Sequence, residues 1–166
     1  MIRRISKPVG KLTFPFTRVT GRSTHPPLIL ATVQADGSYS FKTGEARVAA
    51  ILTPTKSHST FRHVQSISAD SSMEAEWASI SMGLELAITH SEGAVGVEND
   101  CLGVINVLMS SHDTWLRHEY ARYWRYRILR QAKGFEWFGI RWIPREQNRA
   151  DDLFKVAAAA NQKTHS

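Results

Sequence analysis

The stretch that most constrains the fold is Leu28-Ile29-Leu30-Ala31-Thr32-Val33-Gln34-Ala35-Asp36-Gly37-Ser38. An apolar run of this length that ends in a carboxylate and a glycine reads as a strand buried in the middle of a sheet, delivering Asp36 to the sheet's edge. Taken alone, Asp-Gly is more readily a turn, because glycine accepts positive φ and aspartate bonds its own backbone. A chemical role for Asp36 therefore depends on other acids converging on it.

Downstream, residues 45–53 give a second strand closed by Pro54, and residues 60–68 a third with partial alternation. The short links between the three favour an antiparallel meander. From Ser71 to about His90 the spacing turns helical, with Ala75, Ala78, Met82 and Leu86 recurring every three or four residues. Ser71 with Glu74 forms a capping-box start. Residues 94–98 form a short strand, and Asp100 opens a helix through about Met109. A long helix follows from about Trp115 to Lys133, stopping before Gly134. The last strand runs from Phe135 to Ile143 and ends at Pro144, and a helix from about Arg149 to Ala160 completes the order β-β-β-α-β-α-α-β-α. This order implies an α/β domain with a five-stranded mixed sheet, three strands antiparallel and two parallel, flanked by helices. At 166 residues one domain is expected, burying roughly two-thirds of its unfolded surface. It spans residues 28–160, with 161–166 as a tail.

Charge divides the chain unevenly. Of the 21 Lys and Arg residues, Arg3, Arg4, Lys7, Lys11, Arg18 and Arg22 lie in residues 1–27, which hold no acid, so the remainder balances 15 basic against 15 acidic residues. Pro8, Gly10, Pro15, Gly21, Pro26 and Pro27 punctuate this segment, which reads as a flexible basic arm. It could lie against a polyanion, stay solvated, or serve as an organelle-targeting peptide. The single cysteine, Cys101, excludes an internal disulfide and a zinc cluster and favours a reducing compartment. No apolar run approaches the roughly 18 residues of a membrane span, so the expectation is an intracellular, cytoplasmic protein without membrane contact.

Four acids stand at element ends that this topology brings to one edge: Asp36, Glu76, Asp100, and Asp151 or Asp152. Each has an ordinary structural use, as a turn residue, a solvated helix charge, an N-cap, or a partner of a helix dipole. Gathered together they repel, and a fold gathers them at a cost unless a cation occupies the site. Oxygen ligands without a Cys or His cluster suit Mg²⁺ or Mn²⁺.

These residues carry a resemblance. Asp36-Gly37-Ser38 ends the first strand, and Ala75-Glu76-Trp77 is followed on one helix by Gly83-Leu84-Glu85. Glu98-Asn99-Asp100 follows the fourth strand, and Pro144-Arg145-Glu146-Gln147-Asn148-Arg149-Ala150-Asp151-Asp152-Leu153 precedes and opens the last helix. In this order and on these elements, the chain resembles type I ribonuclease H, within the ribonuclease H-like superfamily, over about residues 28–160. The resemblance implies endonucleolytic hydrolysis of the RNA strand of an RNA–DNA hybrid by two-metal catalysis, leaving 5′-phosphate and 3′-hydroxyl ends. It makes Asp36, Glu76, Asp100 and Asp151 the catalytic metal ligands of two Mg²⁺ ions, with Mn²⁺ as the alternative, in a monomeric enzyme. Glu74 is the rival for Glu76, and Asp152 for Asp151. RNA would be selected through its 2′-hydroxyls by backbone around Gly37 and Ser38 and by side chains at Ser71 and Ser72. The chain departs from the family in three places. Tyr39-Ser40-Phe41-Lys42-Thr43-Gly44 replaces a glycine-rich loop, and Ser71-Ser72 stands for a polar Asn pair. The loop Trp142–Glu146 also lacks the histidine of bacterial-type members, leaving Arg145 either to contact phosphate or to pair with Glu146.

The helix of residues 115–133 interleaves aromatics with arginines. Leu116, Tyr120, Trp124 and Ile128 share a spacing that suits the core, whereas Arg122, Arg125 and their neighbours either track the DNA strand's phosphates or form a solvated face. Two further readings stand beside the enzyme: a binding module that keeps the fold without catalysis, and another superfamily nuclease such as a transposase, exonuclease or junction resolvase. Retention of four acids disfavours the first. Gly37-Ser38, where exonucleases carry a second acid on the first strand, disfavours the second.

Overall fold

The computed structural model of the chain describes residues 14–110 and 119–163, the stretch 157–163 by its backbone alone. Strands are β1 (Thr17–Gly21), β2 (Ala31–Tyr39), β3 (Ala46–Thr53), β4 (Phe61–Ile67), β5 (Ala94–Asn99) and β6 (Trp137–Trp142); helices are α1 (Ser72–Thr89), α2 (Leu102–Met109), α3 (Glu119–Ala132) and α4 (Ala150–Lys163). A 3₁₀ turn, Arg145–Gln147, precedes α4. The sheet order is β1-β6-β5-β2-β3-β4. β2, β3 and β4 form the expected antiparallel meander, and β5 and β6 continue from β2 in parallel.

The sheet has six strands, not the five expected from the sequence. The sixth, β1, comes from within the segment read as a basic arm and pairs antiparallel with β6, from Thr17 against Ile140 to Gly21 against Trp137. Its pairing covers backbone groups of β6 that would otherwise form an open edge. The rest of that segment's expected behaviour concerns residues 1–13, which lie outside the described residues, as do residues 164–166 of the tail and residues 115–118 of the long helix, including Leu116.

β2 is central, as its composition demands, but it begins at Ala31. Leu28 and Ile29 are exposed, at 105% and 73%, because the pairing with β5 starts only at Ala31 against Val95. At the other end the strand runs straight through Asp36-Gly37 to Tyr39. The turn falls later, where the Gly44 N–H donates to the Ser40 carbonyl (2.8 Å) and Gly44 adopts φ 73°.

Ala31, Val33 and Ala35 present one face of β2 to α1, where they meet Trp77, Ile80, Leu84 and Ala87 in the main core. Two glycines bring helix and strand together: a Cβ on Gly37 would overlap the Ala75–Glu76 peptide, and one on Gly83 would overlap Val33. The opposite face is covered by α4 through Ala150 and Phe154 against Ala49, and by the segment before β1, whose Phe16 ring lies over Gly96. The capping box of α1 closes with one change of partner. Ser71 Oγ accepts from the Glu74 N–H (3.1 Å), but Glu74 Oε2 accepts from the Asp70 N–H (2.9 Å) rather than from Ser71. Helix α2 starts at Leu102 with Cys101 at the cap position, so Asp100 does not cap it. Among the described residues no helix is long and apolar enough to cross a membrane.

Candidate functional site

Asp36 leaves β2 on the face opposite α1, two residues after Gln34, and is 6% exposed. Glu76 projects from the first turns of α1, which the missing Cβ of Gly37 allows to pass close to the strand. Asp100 follows directly on β5, the parallel neighbour of β2. One carboxylate oxygen from each of Asp36, Glu76 and Asp100 lies within 4.8 Å of the others. These three line a cleft of about 300 Å³ together with Gly37, Ser38, Tyr39, Ser72, Arg145 and Asp151.

The rivals separate by geometry. Glu74 is engaged elsewhere, accepting from the Asp70 N–H and from Trp124 Nε1 (3.4 Å). Asp151 lines the cleft, whereas Asp152 is more exposed, with 56% of its side chain accessible against 27% for Asp151. Lys155 stands against both, its Nζ 3.5 Å from Asp151 Oδ2 and 3.7 Å from Asp152 Oδ1.

Burial is the first cause of the site's electrostatics. It pushes the carboxyl groups of Asp36, Glu76 and Asp100 above their ordinary range. For Asp36 the charge of Asp100 adds to this, and for Glu76 that of Asp36 does. Asp36 and Glu76 also stand against one another, so their titration belongs to the pair rather than to either group alone. Arg145 opposes the rise at both Asp36 and Asp100. Burial likewise raises the thiol of Cys101, which suits a packed residue beside Met73 rather than a nucleophile.

Two buried asparagines, quoted in the sequence motifs without a role, hold the site together. Asn99, 0% exposed, donates from Nδ2 to the Ala35 carbonyl (3.0 Å) and to Glu76 Oε2 (3.1 Å), and its Oδ1 accepts from the Cys101 N–H (2.8 Å). Asn148 donates to the same Ala35 carbonyl (2.9 Å), accepts from the Ala150 N–H (3.2 Å) at the start of α4, and stands beside Asp100, opposing the rise of its pKa. The Ala35 carbonyl, just before Asp36, thus anchors an amide beside each neighbouring acid. The signal in the sequence was an amide immediately before Asp100 and another three residues before Asp151.

Of the residues expected to bind substrate, Gly37, Ser38, Ser72 and Arg145 line the cleft. Ser71 spends its hydroxyl on the helix cap. Arg122 is exposed on α3, while Arg125 is half-buried and donates to the Ser110 carbonyl at the end of α2 (2.8 Å). On the same helix Ile128 is buried, and Tyr120 and Trp124 pack against the core.

A family model described as reverse transcriptase-like matches residues 34–157. No curated protein sequence matches the chain. Among solved structures, ribonuclease H1 from the halophilic archaeon Halobacterium salinarum NRC-1 is 24% identical, with TM-score 0.68, over 75% of this chain and 93% of its own. The N-terminal ribonuclease H domain of rv2228c from Mycobacterium tuberculosis is 19% identical, with TM-score 0.66, over 80% of this chain and 99% of its own. LC11 ribonuclease H1, solved in complex with an RNA/DNA hybrid, is 19% identical, with TM-score 0.63, over 74% of this chain and 92% of its own. These likenesses establish the fold.

Proposed function

The chain belongs to the reverse transcriptase-like family, within the ribonuclease H-like superfamily, and from that premise we propose that it hydrolyses the RNA strand of RNA–DNA hybrids endonucleolytically, leaving 5′-phosphate and 3′-hydroxyl ends. The observation that carries this reading is the convergence of Asp36, Glu76 and Asp100 within 4.8 Å at the edge of the sheet. A structural relative bound to an RNA/DNA hybrid supports the choice of substrate.

The donor set fits a divalent cation. It consists of carboxylate oxygens alone, and the acids raise one another's pKa, a repulsion that a bound cation relieves. Asp36, Glu76 and Asp100 would hold Mg²⁺ or Mn²⁺, and Asp151, released from Lys155, would complete the site for a second ion. When bound, two such ions supply Lewis-acid activation of the attacking water and offset charge on the leaving oxygen. The chain's own residues provide the positioning. Asn99 fixes the Glu76 carboxylate, Asn148 stands beside Asp100, and Arg145 places a positive charge at the cleft where a phosphate would enter. Gly37, Ser38 and Ser72 line the same cleft, which supports a role for them in contacting the sugar.

Cleavage of a hybrid, a single-stranded RNA and a duplex DNA of one sequence, with Mg²⁺ or Mn²⁺, tests the reading. The expected result is cutting of the hybrid's RNA strand alone. Asp100→Asn should then slow it by about three orders of magnitude, which is roughly 4 kcal/mol of transition-state stabilisation. Salt-sensitive hybrid binding without cleavage under either metal would identify a binding module instead, and cleavage indifferent to Asp100→Asn would remove the assigned site.

A further inference from the structure

Behind the acidic cleft, on the Asp36 face of the sheet, lies a polar row that the proposed chemistry does not use. Gln34 on β2 stands in register with Glu98 on β5, and Glu98 with Arg141 on β6. Gln34 Nε2 donates to Glu98 Oε1 (3.1 Å) and to the Gln147 carbonyl (3.3 Å), while Gln34 Oε1 accepts from the Arg149 N–H (3.0 Å). Glu98 Oε2 is held by Arg141, through Nε at 2.8 Å and NH2 at 2.6 Å. The Arg141 guanidinium in turn lies 4.0 Å from the Phe16 ring centroid and donates to the Phe14 carbonyl (3.3 Å).

Both N–H donors of the amide at position 34 and its oxygen are therefore engaged, and its orientation is dictated. A backbone N–H must face its oxygen, and a carboxylate and a carbonyl must face its nitrogen. A glutamate of the same length would keep the Arg149 bond but set acceptor against acceptor at both other contacts. The two loop groups it grips flank Asn148, in the turn that carries Arg145 on one side and leads into Asp151 on the other. Gln34 itself does not line the cleft.

We infer that Gln34 is a positioning residue: its amide clamps the loop of residues 145–149 to the strand that carries Asp36, and so sets where Arg145 and Asp151 stand relative to the other acids. This rests on the nuclease reading above for its catalytic consequence, but not for the clamp. Groups at one remove from a metal site commonly change affinity or rate by about 10- to 100-fold when lost, because a loosened loop misplaces groups that must be pre-set.

The test compares the full chain with Gln34→Met, Gln34→Glu, and Gln34→Glu combined with Glu98→Gln. Three quantities are read: hydrogen exchange of the Arg149 N–H, kcat and KM for hybrid cleavage against Mg²⁺ concentration, and Mn²⁺ affinity by calorimetry. Gln34→Met should raise Arg149 exchange at least about tenfold while β5 exchange holds. It should also lower kcat by about 10- to 100-fold, with KM nearly unchanged and the Mg²⁺ midpoint raised. Gln34→Glu should act likewise, and Glu98→Gln added to it should recover part of the loss by restoring one donor–acceptor pair. Unchanged Arg149 exchange in Gln34→Met overturns the clamp. Raised exchange with kcat and the Mg²⁺ midpoint both within about twofold overturns the positioning role. A uniform rise across β2 and β5 with no recovery in the double variant also overturns it, in favour of a merely structural residue. If the unaltered chain cuts no hybrid, the nuclease reading fails on its own. Mn²⁺ affinity then decides the inference: about tenfold weakening in Gln34→Met supports it, and no change overturns it.

Discussion

A buried carboxyl beside two others is a source of instability whenever it ionises without a counter-ion, and Asp36 is in that position. Burial and the charge of Asp100 raise its pKa in the folded protein, so the folded state holds this proton more tightly than the unfolded chain does. Stability then falls as pH rises. The group's favourable contribution is complete below its unfolded value of about 4 and is lost as pH climbs through the raised folded value. Glu76 acts in the same direction, with burial and the charge of Asp36 as the causes. Without divalent metal the protein should therefore be less stable at pH 8 than at pH 5. Asp36→Asn should remove part of that difference and raise stability at neutral pH by ~1–3 kcal/mol. Chemical denaturation at both pH values, with and without Mg²⁺, measures this. If Asp36→Asn is no more stable than the unaltered chain at neutral pH in metal-free buffer, the crowding carries no such energy. The same acids were legible in the sequence because a carboxylate at a strand end or a helix start stands out against apolar neighbours. Gln34, Asn99 and Asn148 were not, since each acts through backbone carbonyls and N–H groups of other strands and loops, and those partners appear only once the strands are in register.

At the scale of elements, the site exists because α1 lies unusually close to β2. The sequence shows why the helix forms, with Ser71 and Glu74 at its start and apolar residues every three or four positions, and it marks Gly37 through the Asp-Gly pair. It does not show what Gly37 is for. Its backbone continues the strand at an ordinary φ, so the glycine is needed for space: the Ala75–Glu76 peptide occupies the place of its Cβ. Gly44 makes the contrast, with φ 73° and nothing near its absent Cβ, so there glycine serves conformation. Gly37→Ala should accordingly cost about 1–3 kcal/mol through overpacking. Activity should fall further, by about a hundredfold, because relieving the overlap moves Glu76 away from Asp36. Gly44→Ala should cost about 1–2 kcal/mol through backbone strain alone, with activity kept. Thermal unfolding beside cleavage rates separates the two. Wild-type rates in Gly37→Ala would mean that the helix can step aside without disturbing the acids.

For the whole molecule, the least legible part is the edge strand β1. Thr17-Arg18-Val19-Thr20-Gly21 offers one aliphatic side chain among polar residues, between Pro15 and the Pro26-Pro27 pair, and nothing local distinguishes it from a basic arm. What selects it is distant in sequence. Gly96 and Gly139 face one another across β5 and β6; a Cβ on Gly96 would come within 2.6 Å of the Phe16 ring, and one on Gly139 would meet first the Trp137 ring and then the Thr17 carbonyl, at 2.9 Å. The strands are thus cut away to receive the segment, and Phe16 covers the part of the Asp36 face that α4 does not reach. The ring also covers Arg141, whose pairing with the 8%-exposed Glu98 survives away from water only while both charges stay matched and enclosed. Phe16→Ala should therefore remove apolar burial and loosen a buried ion pair together. The expected cost is about 2–4 kcal/mol, seen as a fall in Tm of roughly 5–15 °C at this chain length. Phe16→Leu, which keeps most of the volume, should cost less than half of that. A Tm for Phe16→Ala within about 2 °C of the unaltered chain would show that the sheet is closed without this segment.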